Sequence, residues 1–223
     1  MHLFVDRAYI LYYSMFKIKH KLMSKNKFEA ILESTRYFSK ALGHMSYSAL
    51  YLNSSEEETR ADFIASKRTG QCAIAVQLDL ERVGSQYVPD DQTDNKVRYL
   101  ANANNKVNFL LENPERINTF PSNEVERTLF ETRKIFGGGI RDLRHPFMTL
   151  VAVSGFHPKI DEACSIVFLS NMVRLDNKTK ILYIKELSLM FKNPYALILG
   201  VGCGSIKGVT EQQAREWSVN KIT

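Results

Sequence analysis

The sequence is poor in the features that mark secreted and metal-stabilised proteins. It has three cysteines in 223 residues, Cys72, Cys164 and Cys203, and no two of them are closely spaced. Disulfide frameworks usually have even cysteine counts, so the odd number favours reduced thiols and a cytoplasmic location. The sequence contains no CxxC or HxxxH pair, and these are the usual spacings of a zinc site.

Long apolar runs are missing too. The longest, such as residues 196–201, are far shorter than the ~18–20 residues that a membrane-spanning helix needs. The first seven residues do not combine a basic region with a continuous apolar stretch, so we expect no signal peptide.

What is present is the composition of a folded globular protein. Hydrophobic residues make up 44% and charged residues 24% of the chain. A chain of this length buries roughly 70% of the surface that its unfolded form exposes, so it needs no disulfide or metal to fold. We expect a single domain over residues 1–223, with the polar region 85–120 as the place of any sub-division.

Positive charge is in excess, with a net charge of +6 and a pI of about 9.1. This balance favours an anionic partner such as a nucleic acid or a nucleotide. The basic residues form three groups, each of which can also be read as a solvated face. They are five lysines and a histidine in residues 17–27, then Arg60, Lys67 and Arg68, then Arg133, Lys134, Arg141, Arg144 and His145.

The pattern of apolar and polar residues predicts a mixture of strands and helices. Strands are predicted over 8–16, 46–52, 71–80, 147–153, 165–169, 181–183 and 195–201. Helices are predicted over 28–33, 53–65, 124–135 and 210–217, and a loop with a short helix over 88–105. Because strands and helices do not alternate regularly, we expect an α+β fold with a mostly antiparallel sheet.

Two glycine-rich segments allow alternative interpretations. Residues 200–204 (GVGCG) suggest a phosphate-cradling turn, although the absence of a GxGxxG spacing favours a simple tight turn. Cys203 in this turn would act as a nucleophile only if the fold brought His145 or His157 to it. Residues 137–139 (GGG) can wrap an anion with their backbone N–H groups, or link a helix to a strand.

An ordered series in residues 8–80 points to a known family. Residues 10–14 (ILYYS), 29–32 (EAIL) and 49–55 (ALYLNSS) are followed by an alternating strand over 73–80. In order and spacing they resemble the front half of the ADP-ribosyltransferase fold, with its DNA-modifying toxins as the nearest group. The chain departs from the family at the first strand, where Tyr13 stands in place of a histidine or arginine and Arg7 lies six residues upstream.

The resemblance implies a split, mostly antiparallel sheet with short flanking helices. It also implies a toxin or effector that uses NAD to modify a nucleic acid or a protein. Arg7, Ser14 and Tyr51 would bind the NAD, with the Tyr51 ring stacked on the nicotinamide, and Tyr13 and Tyr51 would belong to the catalytic set.

The catalytic carboxylate of that family lies at or beside a late strand. Glu162 would take this role and stabilise the oxocarbenium-like sugar as nicotinamide leaves, with Glu186 as the competing candidate. The alternative hypothesis is a non-enzymatic protein that binds nucleic acid or another partner. In it, basic residues interleaved with aromatic ones, as at residues 36–38 (RYF), contact the phosphate backbone and the bases.

Overall fold

The computed structural model describes residues 72–78, 81–88, 93–121, 123–142, 149–172 and 175–219. Four strands and six helices lie in these ranges. The strands are β1 (Cys72–Leu78), β2 (Glu81–Val88), β3 (Gly139–Asp142) and β4 (Thr149–Ser154). The helices are α1 (Thr93–Glu112), α2 (Glu124–Thr132), α3 (Pro158–Met172), α4 (Asn177–Met190), α5 (Ala196–Gly202) and α6 (Glu211–Val219).

The four strands form one antiparallel sheet in the order β2-β1-β4-β3. Ile74 of β1 stands opposite Val153 of β4, and Ile140 of β3 stands opposite Val151. The expectation of an α+β fold with an antiparallel sheet is confirmed for this part of the chain. The strands predicted over 8–16 and 46–52 and the helices predicted over 28–33 and 53–65 lie outside the described residues.

Helices cover both faces of the sheet. Successive side chains of β1 point to opposite faces, so large and small residues that alternate along the strand determine which helix packs on which face. The larger residues Cys72, Ile74 and Val76 point into a core shared with α3, α4 and α5. The intervening Ala73 and Ala75 point to α1, in a second core. Because alanine side chains are short, α1 can approach this face of the sheet closely.

Three predicted strands are wrong. Residues 165–169, 181–183 and 195–201 lie in α3, α4 and α5 instead. A short apolar run does not distinguish a strand from a buried helix, because both are covered on all sides and neither shows an apolar period. In α3 every residue from 160 to 170 is buried, which removes the 3.6-residue period that would have revealed the helix.

The loop with a short helix predicted over 88–105 is also wrong, because α1 spans 20 residues and follows a strand that ends at Val88. Of the polar residues in this region whose burial is described, Arg98 is exposed and Asn102, Asn104 and Asn105 are half-buried. Its buried residues Tyr99, Ala103, Val107 and Leu110 are spaced by three or four, which is the period of a helix packed on one face. Among the described residues, no helix has the length and apolarity to cross a membrane.

The predicted helix over 124–135 is confirmed, but it ends three residues early. Asn123 is its N-cap and accepts a hydrogen bond from the backbone N–H of Glu126 (2.9 Å). At the other end the helix stops at Thr132, and Lys134 turns the chain with a left-handed φ of 56°. The glycines at 137–139 therefore follow the turn and do not end the helix.

The helix predicted over 210–217 is confirmed as α6, and a capping box begins it. The backbone N–H of Gln213 donates to the Thr210 hydroxyl (3.2 Å), and the Gln213 side chain accepts from the backbone N–H of Thr210 (2.9 Å). The two bonds satisfy donors that the first turn of α6 leaves without helical partners.

We expect Thr210→Ala to lower the free energy of unfolding by about 1 kcal/mol, because it removes the cap of α6. Urea denaturation followed by circular dichroism measures this change. Gln212→Ala is the matched control, since Gln212 is an exposed residue of the same turn whose side chain bonds only along the helix. Equal stability of T210A and Q212A would contradict the capping role.

Candidate functional site

The predicted catalytic carboxylate, Glu162, lies in the first turns of α3 and not beside a strand. Its side chain is fully buried and accepts three hydrogen bonds. The donors are Asn193 Nδ2 (2.8 Å), Asn118 Nδ2 (3.2 Å) and Lys159 Nζ (3.3 Å). These four residues, which we call the Glu162 cluster, join the segment after α1, the start of α3 and the turn after α4.

Lys159 forms the outer edge of the Glu162 cluster, with a side chain that is 28% exposed. Its ammonium lies 4.3 Å from the centroid of the Phe120 ring and donates to the backbone carbonyl of Phe191 (3.3 Å). Burial raises the pKa of Glu162, while the charge of Lys159 and the Asn193 amide act in the opposite direction. A substrate would reach this carboxylate only after Lys159 or Asn118 had moved away from it.

The neighbouring residue Asp161 forms a buried ion pair that the sequence pattern did not predict. Lys106 Nζ of α1 lies 2.9 Å from the Asp161 carboxylate and 2.5 Å from the Val153 carbonyl of β4. The other carboxylate oxygen accepts from the backbone N–H of Phe156 (3.0 Å). Burial lowers the pKa of Lys106 and raises that of Asp161 to about 6. In the sequence, the only sign of this pair is that Lys106 stands among apolar residues spaced as on one face of a helix.

The glycine run at residues 137–139 packs against the buried pair of Lys106 and Asp161. An added Cβ at Gly138 would lie 2.4 Å from the Asp161 Cβ and 3.0 Å from Lys106 Nζ, and the φ of Gly138 is +114°. The Gly138 carbonyl accepts from the Ser165 hydroxyl (2.6 Å), and the Gly139 N–H donates to Thr119 Oγ1 (2.9 Å). The run therefore packs α3 against the sheet, which does not favour its interpretation as an anion-wrapping loop.

The basic group predicted around the glycines divides into a buried and an exposed part. Arg141 is buried, and its guanidinium donates to the backbone carbonyl of Leu110 in the last turn of α1 and to those of Asn113 and Arg116 in the segment after it. A cation near the end of a helix is favoured by the negative end of the helix dipole. Residues 144 and 145 lie outside the described part of the chain.

Arg133 and Lys134 are the exposed part, on a turn whose backbone is held in place. The Lys134 and Ile135 N–H groups donate to the carbonyls of Glu131 (3.0 Å) and Phe130 (2.8 Å). Ile135 is buried, and the Phe136 ring beyond it is 43% exposed. Thr119 Oγ1 donates to the Phe136 carbonyl (2.8 Å). We call residues 133–136 the basic turn.

Residues 200–204 form the end of α5 and the turn after it. The Cys203 thiol is buried, and its sulfur lies 3.0 Å from Ser205 Oγ. Burial raises the pKa of this thiol, so the reactive thiolate is disfavoured. His157, one of the two histidines considered for activating it, accepts a 3.4 Å hydrogen bond from the Lys159 N–H through Nδ1. None of the three cysteines is in a disulfide.

We expect Lys106→Met to lower the free energy of unfolding by about 3–5 kcal/mol at pH 8, because it leaves the Asp161 charge buried without a cation. Removal of Lys106 raises the folded-state pKa of Asp161 further, and a raised carboxyl pKa favours the folded state at low pH. The decrease in the free energy of unfolding caused by Lys106→Met should therefore become smaller as the pH is lowered from 8 to 5. Denaturation at both pH values measures it.

The double variant K106M/D161N is the control for the buried charge. It removes both charges, and we expect it to be more stable than K106M alone at pH 8. A K106M variant that is destabilised equally at both pH values would contradict an ionised Asp161 in the wild-type protein.

Of the other predicted site residues, the structure describes only Glu186, which lies on the exposed side of α4. Arg7, Tyr13, Ser14 and Tyr51 lie outside the described residues. Within the described ranges, no group of three His, Cys, Asp or Glu side chains is arranged to hold a metal ion. Comparison of the chain with protein-family models, with curated proteins and with solved structures finds no match.

Proposed function

We propose that the protein binds single-stranded nucleic acid without catalysis, and that the basic turn contacts the strand. The observation that carries this proposal is the pair Arg133 and Lys134 beside a half-exposed Phe136 on a turn with a fixed backbone. Proteins of this kind combine cations that follow the phosphates with aromatic rings on which bases stack. A turn held by backbone hydrogen bonds presents both groups at a small cost in conformational entropy.

The distribution of charge supports the same function. Lys106 and Arg141 are used inside the protein. Seven other arginines and lysines of the described part are exposed, namely Arg98, Arg127, Arg133, Lys134, Lys178, Lys192 and Lys207. With a net charge of +6 on the whole chain, the protein attracts polyanions in general. An exposed phenylalanine that follows two adjacent cations in the chain is what favours a single strand as the ligand.

The proposal is tested with a fluorescein-labelled oligothymidine and fluorescence anisotropy at several salt concentrations. Arg133→Gln with Lys134→Asn should weaken binding and reduce the slope of log K against log salt by about 1.4, which is ~0.7 for each phosphate contact. Phe136→Ala should weaken binding by about five- to 100-fold, since it removes one stacked base.

Lys192→Asn is a matched control for Lys134→Asn. Both lysines are exposed, follow the end of a helix and have a left-handed φ, 49° for Lys192 and 56° for Lys134. Asparagine tolerates this conformation, so neither change strains the turn. Wild-type binding that does not depend on salt would contradict the proposal, as would equal effects of K134N and K192N.

A second candidate function is ADP-ribosyl transfer from NAD by an ADP-ribosyltransferase-like fold. It is favoured by the ordered series in residues 8–80 and by the buried carboxylate of Glu162, whose pKa is raised in the way that is frequent at functional sites. Arg7, Ser14 and Tyr51 would hold NAD, Tyr13 and Tyr51 would complete the catalytic set, and Lys159 would have to leave Glu162 before the sugar could approach.

Incubation with labelled NAD and a mixture of nucleic-acid and protein acceptors tests this second function. If Glu162 carries the reaction, Glu162→Gln should lower nicotinamide release by about 100-fold or more while the fold is retained. Glu186→Gln is the control, because Glu186 was the competing carboxylate. The absence of nicotinamide release from the wild-type protein would exclude this function and leave the binding proposal standing.

A further inference from the structure

The turn after α5 meets the end of α3 and the start of α4 at a corner of polar side chains. Asn171 of α3 donates through Nδ2 to the Ser205 hydroxyl (2.8 Å) and accepts through Oδ1 from Lys180 Nζ (2.8 Å). The Asn177 side chain donates to the Lys207 carbonyl (2.7 Å) and accepts from the Lys207 N–H (2.9 Å). We call Asn171, Lys180, Ser205 and Lys207 the α5-turn cluster.

The two lysines of the α5-turn cluster lie close to each other. Asn177 and Lys180 are three residues apart in α4, so they lie on one side of the helix, and Asn177 holds Lys207 beside them. Burial lowers the pKa of the Lys180 ammonium, and the positive charge of Lys207 lowers it further. Cys203 would raise this pKa only as a thiolate, a form that its burial disfavours. Lys180 and Lys207 are therefore near enough to repel each other.

The described part of the protein does not neutralise these two charges. Lys180 is half-buried, and among the described residues Asn171 Oδ1 is the only hydrogen-bond acceptor that it contacts. Within the same ranges, no carboxylate forms an ion pair with Lys180 or Lys207. A half-buried cation beside a second cation costs free energy unless an anion accompanies it. The arrangement therefore favours an anionic ligand.

We propose that the α5-turn cluster binds a phosphate group, either as the free ion or as the phosphate of a monoester. Lys180 and Lys207 match the two negative charges of the phosphate. The Ser205 hydroxyl and the second Nδ2–H of Asn171 are neutral donors for its remaining oxygens. Two cations with neutral donors suit a doubly charged group with several oxygens better than a single carboxylate.

The glycines of this turn leave room for the ligand. Gly204 and Gly208 are exposed, and an added Cβ at either position would meet no atom of the described residues within 4 Å. The backbone N–H groups of Cys203 and Gly204 donate to carbonyls of α5. The phosphate would therefore be held by side chains, and not by the backbone cradle that the glycines of residues 200–204 suggested.

Isothermal titration calorimetry with the full chain at about pH 7.5, where a phosphate monoester carries nearly two negative charges, tests the proposal. The probes are orthophosphate, thymidine 5′-monophosphate and thymidine. We expect a dissociation constant of about 0.1–1 mM for the two phosphates, because so small a ligand makes few contacts, and no binding of thymidine. Tighter binding of the nucleotide than of orthophosphate would identify a monoester as the ligand, and equal binding would identify the phosphate group alone.

Lys180→Gln and Lys207→Gln should each raise the dissociation constant by about tenfold, since each removes one of the two cations. Because Lys207 is exposed, K207Q keeps the fold. Lys178→Gln is the matched control, because it removes the same charge from an exposed lysine of α4. Residues two apart in a helix point about 200° apart, so Lys178 points away from Lys180 and its loss should leave the binding of phosphate unchanged.

The absence of saturable binding of both phosphates up to about 10 mM would overturn the proposal. Binding of thymidine as tight as that of its monophosphate would do the same, because the phosphate would then make no contribution. Equal effects of K178Q and K207Q would also contradict it, since they would reflect the net charge of the protein and not a site.

Discussion

The buried contact between Lys106 and Asp161 connects the two sides of the described fold. Lys106 comes from the helix on one face of the sheet, Asp161 from a helix on the other face, and the Val153 carbonyl from the strand between them. A cation that has lost its water is stable only where acceptors surround it closely. Gly138 makes room for this contact, since a side chain there would overlap Asp161.

Asp161 and Glu162 are adjacent in sequence but serve different neighbours. Successive residues of a helix point about 100° apart, so Asp161 faces Lys106 and Glu162 faces Asn118 and Asn193. Both carboxylates lie near the positive end of the α3 dipole, which favours their charge. The first turns of α3 thus tie the sheet, the segment after α1 and the turn after α4 together.

The proposed contact with nucleic acid lies on the outside, where side chains are exposed but the backbone is fixed. The basic turn combines the positive charge of Arg133 and Lys134 with the exposed aromatic side chain of Phe136.

Local sequence patterns determined the alternation of β1, the start of α2 and the capping box of α6. Each depends on residues close together in the chain, such as Thr210 with Gln213. The sequence also singled out Glu162, a carboxylate at the edge of an apolar run. Tertiary structure alone decided that this run is helical and that Glu162 meets Asn118 and Asn193. Those partners lie 44 and 31 residues away in the chain, and an apolar segment buried on every side carries no period that could reveal its conformation.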